Sequence, residues 1–284
     1  MPAENQQVNP SFNIKAAGNA TVKPILLVQA GRQGVSFIQL DTETNTFIGV
    51  QVYHFAKNLS DVDIAIMIND IIAAENLSAQ NFKKIFVTWC FNESIIVPHE
   101  YFSTGTAKQM IELVYGDASQ AVVQNEIVLT QDLHTIYRVP VAVKNVFSSF
   151  FPFSIQNHQD SLLINLGRGN RNMLYCNFYP SSFTLLLRKN GQLQVIKNFD
   201  FNTPDDVVYH LLNTCRAFGT DVAQISLTVS GMINAGSGLH NELYKYFVEI
   251  DFAELPGNFN YTAAIKDEPA HYFSHLFTTA LCVL

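Results

Sequence analysis

The apolar positions of the chain first gather into strand-like runs. Ile25-Leu26-Leu27-Val28-Gln29 is a short apolar stretch closed by Ala30-Gly31, and Val35 to Leu40 follows with alternating character. After the turn-like Asp41-Thr42-Glu43-Thr44-Asn45, a third run extends from about Thr46 to Phe55. Three strands joined by short turns predict an antiparallel meander. Ser60 then stands as an N-cap, with Asp61 and Asp63 where carboxylates complement the helix dipole. Ile64, Met67, Ile68, Ile71 and Ile72 carry the helix to about Leu77 and leave it apolar on most faces, which predicts burial between a sheet and another element. Ile85 to Trp89 lacks alternation, as expected of a strand covered on both faces.

The same order returns later in the chain. Met173 to Tyr179 and Ser182 to Arg188 read as strands, Asn190-Gly191 is a strong hairpin signal, and Gln192 to Phe201 completes a second meander. Thr203-Pro204-Asp205-Asp206 opens a helix whose stripe is Val207, Val208, Leu211, Leu212, Cys215 and Phe218, and Gln224 to Val229 returns as a strand. The two copies lie about 150 residues apart and share pattern without obvious residue identity. A three-stranded meander followed by a helical crossover to another strand is the ribonuclease-H-like core. The chain is therefore expected to be α/β, with two ribonuclease-H-like domains in an actin-like ATPase arrangement, their mixed sheets flanked by helices and facing a cleft. The expected divisions are a flexible N-terminal segment over 1–20, a first domain over 21–155 and a second over 156–284.

Between the copies lie Ser94 to Phe102, a helix near Ala107 to Val114, a strand near Glu126 to Thr130 and a helix from Val141 to Phe150. His158 to Leu166 suits either a strand or a short buried helix. A final helix places Phe273, Leu276, Phe277, Ala280, Leu281 and Leu284 on one face.

Composition narrows the function classes. Charged residues are only 14% of the 284, against roughly 25% in a typical domain. The net charge of −7, with the few basic residues dispersed, speaks against nucleic acid as a partner. No window of about 18 uninterrupted apolar residues is present for a membrane span. The polar opening stretch has no secretory h-region. Cys90, Cys176, Cys215 and Cys282 form no CxxC pair and read as small buried hydrophobes in a reducing cytoplasm, the expected location.

In an actin-like fold the turn between the first two strands of each domain approaches the nucleotide phosphates. Its first strand ends on an Asp that holds the Mg²⁺ shell, with a Gly shortly after that lets the backbone approach. Here Gly31 and Gly34 keep the glycine character, but Gln29 stands at the acid position. In the second copy Asn177 replaces the acid, Tyr179 the glycine, and Pro180 removes an amide donor. Neutral amides cannot supply the charge a hard dication needs. A third stretch, Gly231 to Gly238, falls where a glycine-rich turn would pack against adenosine. Gly31, Gly34, Gly231, Gly236 and Gly238 are thus the candidate nucleotide positions, with no catalytic residue, metal ligand or cofactor assigned. The preferred reading is a non-catalytic binding or scaffolding module with a protein partner. The alternative is a nucleotide-binding ATPase or sugar-kinase-like enzyme using ATP with Mg, its acids drawn from Asp41, Asp132 or Asp200. His271 and His275 have metal-ligand spacing but no third ligand, and Arg168 with Arg171 around Gly169 could grip a phosphate or simply be a polar loop.

Several stretches carry a family likeness. They are Ile96-Val97-Pro98-His99-Glu100-Tyr101-Phe102, Phe151-Pro152 with His158 shortly after, and Asn190-Gly191-Gln192-Leu193 leading to Asn198-Phe199. Thr203-Pro204-Asp205-Asp206-Val207-Val208-Tyr209, Gly231 and Leu243-Tyr244-Lys245-Tyr246 complete the set. Together they resemble an uncharacterised bacterial family with an actin-like ATPase fold, over nearly the whole chain after about residue 20. The resemblance implies that fold and no activity, substrate or partner.

Overall fold

The computed structural model describes residues 9–15, 23–165 and 172–283. Arg168, Gly169 and Arg171 lie outside them. In chain order the elements are β1 (Phe12–Ile14), β2 (Ile25–Gly31), β3 (Gly34–Asp41), β4 (Thr46–His54), α1 (Asp61–Ala74), β5 (Lys84–Cys90) and β6 (Ser94–Pro98). Next come α2 (Ala107–Tyr115), β7 (Ala121–Val128), β8 (Leu133–Pro140), α3 (Val141–Phe150), β9 (Ile155–His158) and α4 (Gln159–Ile164). The rest are β10 (Met173–Phe178), β11 (Ser182–Lys189), β12 (Gln192–Asp200), α5 (Pro204–Ala217), β13 (Ser226–Gly231), α6 (Gly238–Leu243), β14 (Ile250–Phe252), β15 (Asn260–Tyr261), α7 (Ala263–Lys266) and α8 (Ala270–Val283).

The chain forms two compact units, one of residues 1–159 with 259–265, the other of 160–258 with 266–284. The sequence placed the division at 155/156 and did not foresee that 259–265 return to the first unit. Within the segment read as flexible, Phe12–Ile14 are instead strand β1, paired antiparallel with β4.

In the first unit the sheet runs β1-β4-β3-β2-β5-β9, and β15 also pairs with β4. Leu26, Val28 and Ala30 of β2 project to one face, where Ile64, Ile68 and Ile72 of α1 and Val143 and Phe147 of α3 cover them. Helix α1 starts where the sequence places it: Ser60 and Asp63 exchange a reciprocal capping box. Helix α1 packs on the sheet and against α3, while its outer apolar positions Val62 and Ile66 are exposed. A separate sheet, β6-β8-β7, carries α2 on one face through Ala107, Ile111 and Ile136. Strand β8 had no counterpart in the sequence reading. The open stretch near His158 resolves into both alternatives in succession, β9 and then α4.

In the second unit the order is β12-β11-β10-β13-β14. The run β12-β11-β10-β13 repeats β4-β3-β2-β5, antiparallel twice and then parallel. Leu174, Cys176 and Phe178 of β10 meet Val207, Leu211 and Cys215 of α5. The opposite face receives α8, where Ser230 Oγ donates to His271 O at 3.0 Å and meets Ser274 Oγ at 2.8 Å. Phe273, Leu276, Phe277 and Ala280 are buried as expected, but Leu281 is exposed; Leu284 lies outside the described residues.

Candidate functional site

Strand pairing places Gln29 and Asn177 in two comparable settings. In the first unit Gln29 lies beside Ser36 of β3 and Thr88 of β5, and Thr88 lies beside Asn157 of β9. Side chains in register share a face, so Ser36, Gln29, Thr88 and Asn157 form one transverse row on the side away from α1. Thr88 Oγ1 donates to Asn157 Oδ1 at 2.9 Å. In the second unit Asn177 lies beside Thr184 and Ser230, and Thr184 beside Asn198. Asn198, Thr184, Asn177 and Ser230 form the second row, and Thr184 Oγ1 donates to Asn198 Oδ1 at 2.5 Å. Neither row holds a carboxylate, and Thr88, Asn177, Thr184 and Ser230 are at most 2% exposed. The rows can exchange neutral hydrogen bonds; neither brings negative charge to a dication.

The glycines beside these rows answer to the protein's own packing. A Cβ on Gly31 would lie 2.5 Å from the Cys90 carbonyl oxygen, and one on Gly34 2.1 Å from that of Tyr53. These two glycines close the β2–β3 turn as a register pair. Gly231, in left-handed backbone (φ 79°), would set a Cβ 2.2 Å from Phe178 O and 2.9 Å from Asn177 Oδ1. Gly236 is also left-handed (φ 76°), but nothing lies within 4 Å of its Cβ position, and the same space surrounds Gly238.

The turn from β13 to α6 is held from within. Met232 N donates to Phe178 O at 2.8 Å, Gly236 N to His240 Nδ1 at 3.1 Å, and Asn241 Nδ2 to Gly236 O at 3.0 Å. Ser237 caps α6 by accepting from His240 N at 3.2 Å. The amide a glycine-rich turn would offer a ligand is taken, at Gly236, by an imidazole of the same turn. His271 bonds through Nε2 to Ile233 O at 2.7 Å and packs against Phe252, and burial holds its pKa below the ordinary value. It braces this turn. His275 lies against Tyr179.

None of the acids considered for the alternative is a member of either row, but Asp200 follows Asn198 by two residues on β12, opposite Ser182, and shares its face. Asp41 ends β3 and accepts from Glu43 N at 2.9 Å and Thr44 Oγ1 at 2.7 Å; the Thr44 hydroxyl first and then the Glu43 amide lower its pKa. Asp132 sits in the β7–β8 turn with φ 54°, and Asp200 is exposed at the end of β12. Cys176 and Cys215 are buried, and burial pushes the Cys215 thiol up to about 11 and Cys176 well above its usual value. Those two thiols stay protonated at neutral pH.

Sequence reasoning found Gln29 and Asn177 but missed Ser36, Thr88, Asn157, Thr184, Asn198 and Ser230 as their neighbours. The available signal was a lone polar residue inside an apolar strand, as in Phe183-Thr184-Leu185, but grouping them requires the register.

No curated protein matches the sequence. Solved structures do. A protein of actin-like ATPase fold and unknown function from Bacteroides thetaiotaomicron is similar with a TM-score of 0.72 at 16% identity, covering 81% of this chain and 91% of that one. A PilM–PilN type IV pilus biogenesis complex is similar with a TM-score of 0.62 at 10% identity, covering 93% and 99%. The ethanolamine utilization protein EutJ from Carboxydothermus hydrogenoformans follows at 0.50 and 8% identity, covering 94% and 92%. These likenesses fix the fold as the actin-like ATPase fold. A family model described as a protein of unknown function, DUF3822, matches residues 15–250, and the chain belongs to that family.

Proposed function

We propose that this protein is a non-catalytic member of the actin-like fold, a binding or scaffolding module that works without Mg-nucleotide chemistry. One observation carries the reading: both transverse rows are uncharged, at the strand positions where a magnesium-dependent member needs acids. The packing demands on Gly31, Gly34 and Gly231 support it, since these glycines are accounted for without a phosphate. The tied amide of Gly236 supports it as well. A protein partner is the natural ligand of such a module, and one structure of similar fold is itself a complex, of PilM with PilN. The partner here is set by surfaces other than the phosphate turns.

Thermal melting with and without Mg-ATP tests the proposal. A ligand at about 100 times its dissociation constant stabilises the native state by roughly 2.7 kcal/mol. For a chain of this size that is a rise of about 5 °C or more. The expected result is no shift at millimolar Mg-ATP and no phosphate release. A clear rise with release overturns the proposal and favours a nucleotide-dependent enzyme.

A further inference from the structure

The small sheet β6-β8-β7 carries a histidine pair that belongs to neither polar row. After β6 the chain makes a single helical turn over His99–Tyr101, and Phe102 follows it. His134 of β8 lies between Val97 of β6 and Ile127 of β7, and Phe102 stacks on its ring with centroids 3.7 Å apart and planes 7° apart. His134 is 8% exposed, whereas His99 faces solvent. The two imidazole planes lie 18° from parallel, and His99 Nδ1 meets His134 Nε2 at 2.9 Å. His99 N also donates to Asp132 O at 2.9 Å, and Phe102 N closes the turn by donating to His99 O at 3.1 Å.

A neutral imidazole has one N–H, so one ring of the pair donates and the other accepts. His134 Nδ1 is buried and has no hydrogen-bond partner among the described residues. If His99 donated, the His134 proton would sit on Nδ1, a buried N–H without an acceptor, which folded proteins rarely keep. The pair is therefore arranged with His134 Nε2–H donating to His99 Nδ1. An added proton upsets this. Whichever ring takes it, keeping the bond between Nδ1 and Nε2 leaves His134 with a proton on its buried Nδ1. Breaking the bond avoids that cost, because His99 can then carry the charge in solvent. Burial first, and then the His99 charge, hold the His134 pKa below its ordinary value against the pull of Asp132. The neighbouring strands add no charge, since Val97 and Ile127 are the register partners. Glu100 of the turn is exposed, and Lys108 and Glu112 of α2 pair with each other at 3.4 Å.

We infer that the His99–His134 pair is an acid-operated latch, which holds the turn His99–Tyr101 against the small sheet while both rings are neutral and lets it go when the pair takes up a proton. The released turn carries Tyr101, which is 66% exposed, so acid alters an aromatic stretch of the surface. A ring freed from the pair titrates at the ordinary histidine value of about 6.5. The latched state therefore keeps its full margin above that pH and loses it as pH falls below. At about pH 5.5 the open population should be about tenfold larger than at about pH 7.5.

NMR of the isotope-labelled full chain tests the latch in two ways. At neutral pH the His134 imidazole should show its proton on Nε2 and a lone pair on Nδ1. Hydrogen exchange, corrected for the intrinsic rate at each pH, should show the His99 and Phe102 amides about tenfold less protected at about pH 5.5 than at about pH 7.5, with the β2 amides unchanged. His99 is exposed, so His99→Ala should melt like the parent, and its Phe102 amide should be poorly protected at both pH values. His134→Phe, which keeps a ring against Phe102 and removes the buried nitrogens, should likewise abolish the pH dependence. A proton on His134 Nδ1 at neutral pH, or protection of His99 and Phe102 that ignores pH in the parent, overturns the inference. So does an equal loss of protection in β2, or a pH dependence that survives His99→Ala.

Discussion

Replacing Asn177 by Asp puts an acid at the position that the proposed reading treats as lacking one, and it should destabilise this chain. Asn177 is 2% exposed, lies between Thr184 and Ser230, and its Oδ1 has no hydrogen-bond partner among the described residues. A carboxyl group there loses its hydration, and burial raises its pKa by about 3 units. At about 1.4 kcal/mol per unit, the cost of the fully ionised variant is about 4 kcal/mol. The folded pKa lies above the unfolded value of about 3.9, so the unfolded state ionises first as pH rises. Below about pH 4 the variant should match the parent to within about 1 kcal/mol. Its deficit should then grow with pH and level off near pH 7. Urea unfolding of both proteins at several pH values between about 4 and 8 measures the difference directly. A pH-independent deficit would refute the desolvation argument. Recovery of the lost stability on adding millimolar Mg²⁺ would refute more, because it would reveal oxygen ligands already arranged for a cation.

The remaining predictions concern packing and capping. Gly231→Ala and Gly236→Ala share nearly the same backbone angle, so about 1 kcal/mol of left-handed cost is common to both. Only the first drives a methyl into Phe178 O, and it should lose at least about 2 kcal/mol more in urea unfolding; equal losses would deny the close approach. Thr203→Ala should cost about 1 kcal/mol by removing the cap of α5. The amides of Asn202 and then Thr203 hold Asp206 below its usual pKa, a contribution present above the unfolded pKa and lost as pH falls through the folded one. Asp206→Asn should therefore flatten the acid limb of the stability–pH curve, and an unchanged limb would refute that assignment.

Much of the architecture was legible because its signals are local. Ser60 with Asp63 and Thr203 with Asp206 announce their helices within four residues, and Asn190-Gly191 fixes a hairpin whose central residues both take positive φ. Strand β8 was missed because Leu133 to Pro140 interleaves His134, Thr135 and Arg138 with apolar residues. Its identity comes from pairing with β7, its hairpin neighbour, and with β6, a partner distant in sequence. Arg138 is buried there because Glu93 and the Gly116 carbonyl receive its guanidinium, an arrangement no local pattern encodes. Gln29 and Asn177 could be singled out from sequence alone as neutral residues at strand positions. That each belongs to a row of four neutral side chains is a property of register.

The return of residues 259–265 to the first unit bears on how the chain is made. Phe47, fully buried, stacks on Tyr261 with centroids 5.4 Å apart and lies 4.9 Å from Phe259, while Asn260 N donates to Asn45 O at 2.8 Å. A ribosome that has released every strand from β1 to β9 still withholds the pieces that cover Phe47. The nascent first unit must wait, with an aromatic side chain and part of β4 uncovered, while the next hundred or so residues emerge. Vectorial synthesis therefore ties completion of the earlier-made unit to a segment translated about a hundred residues later, and a fragment cut at Gln159 would keep that wound open.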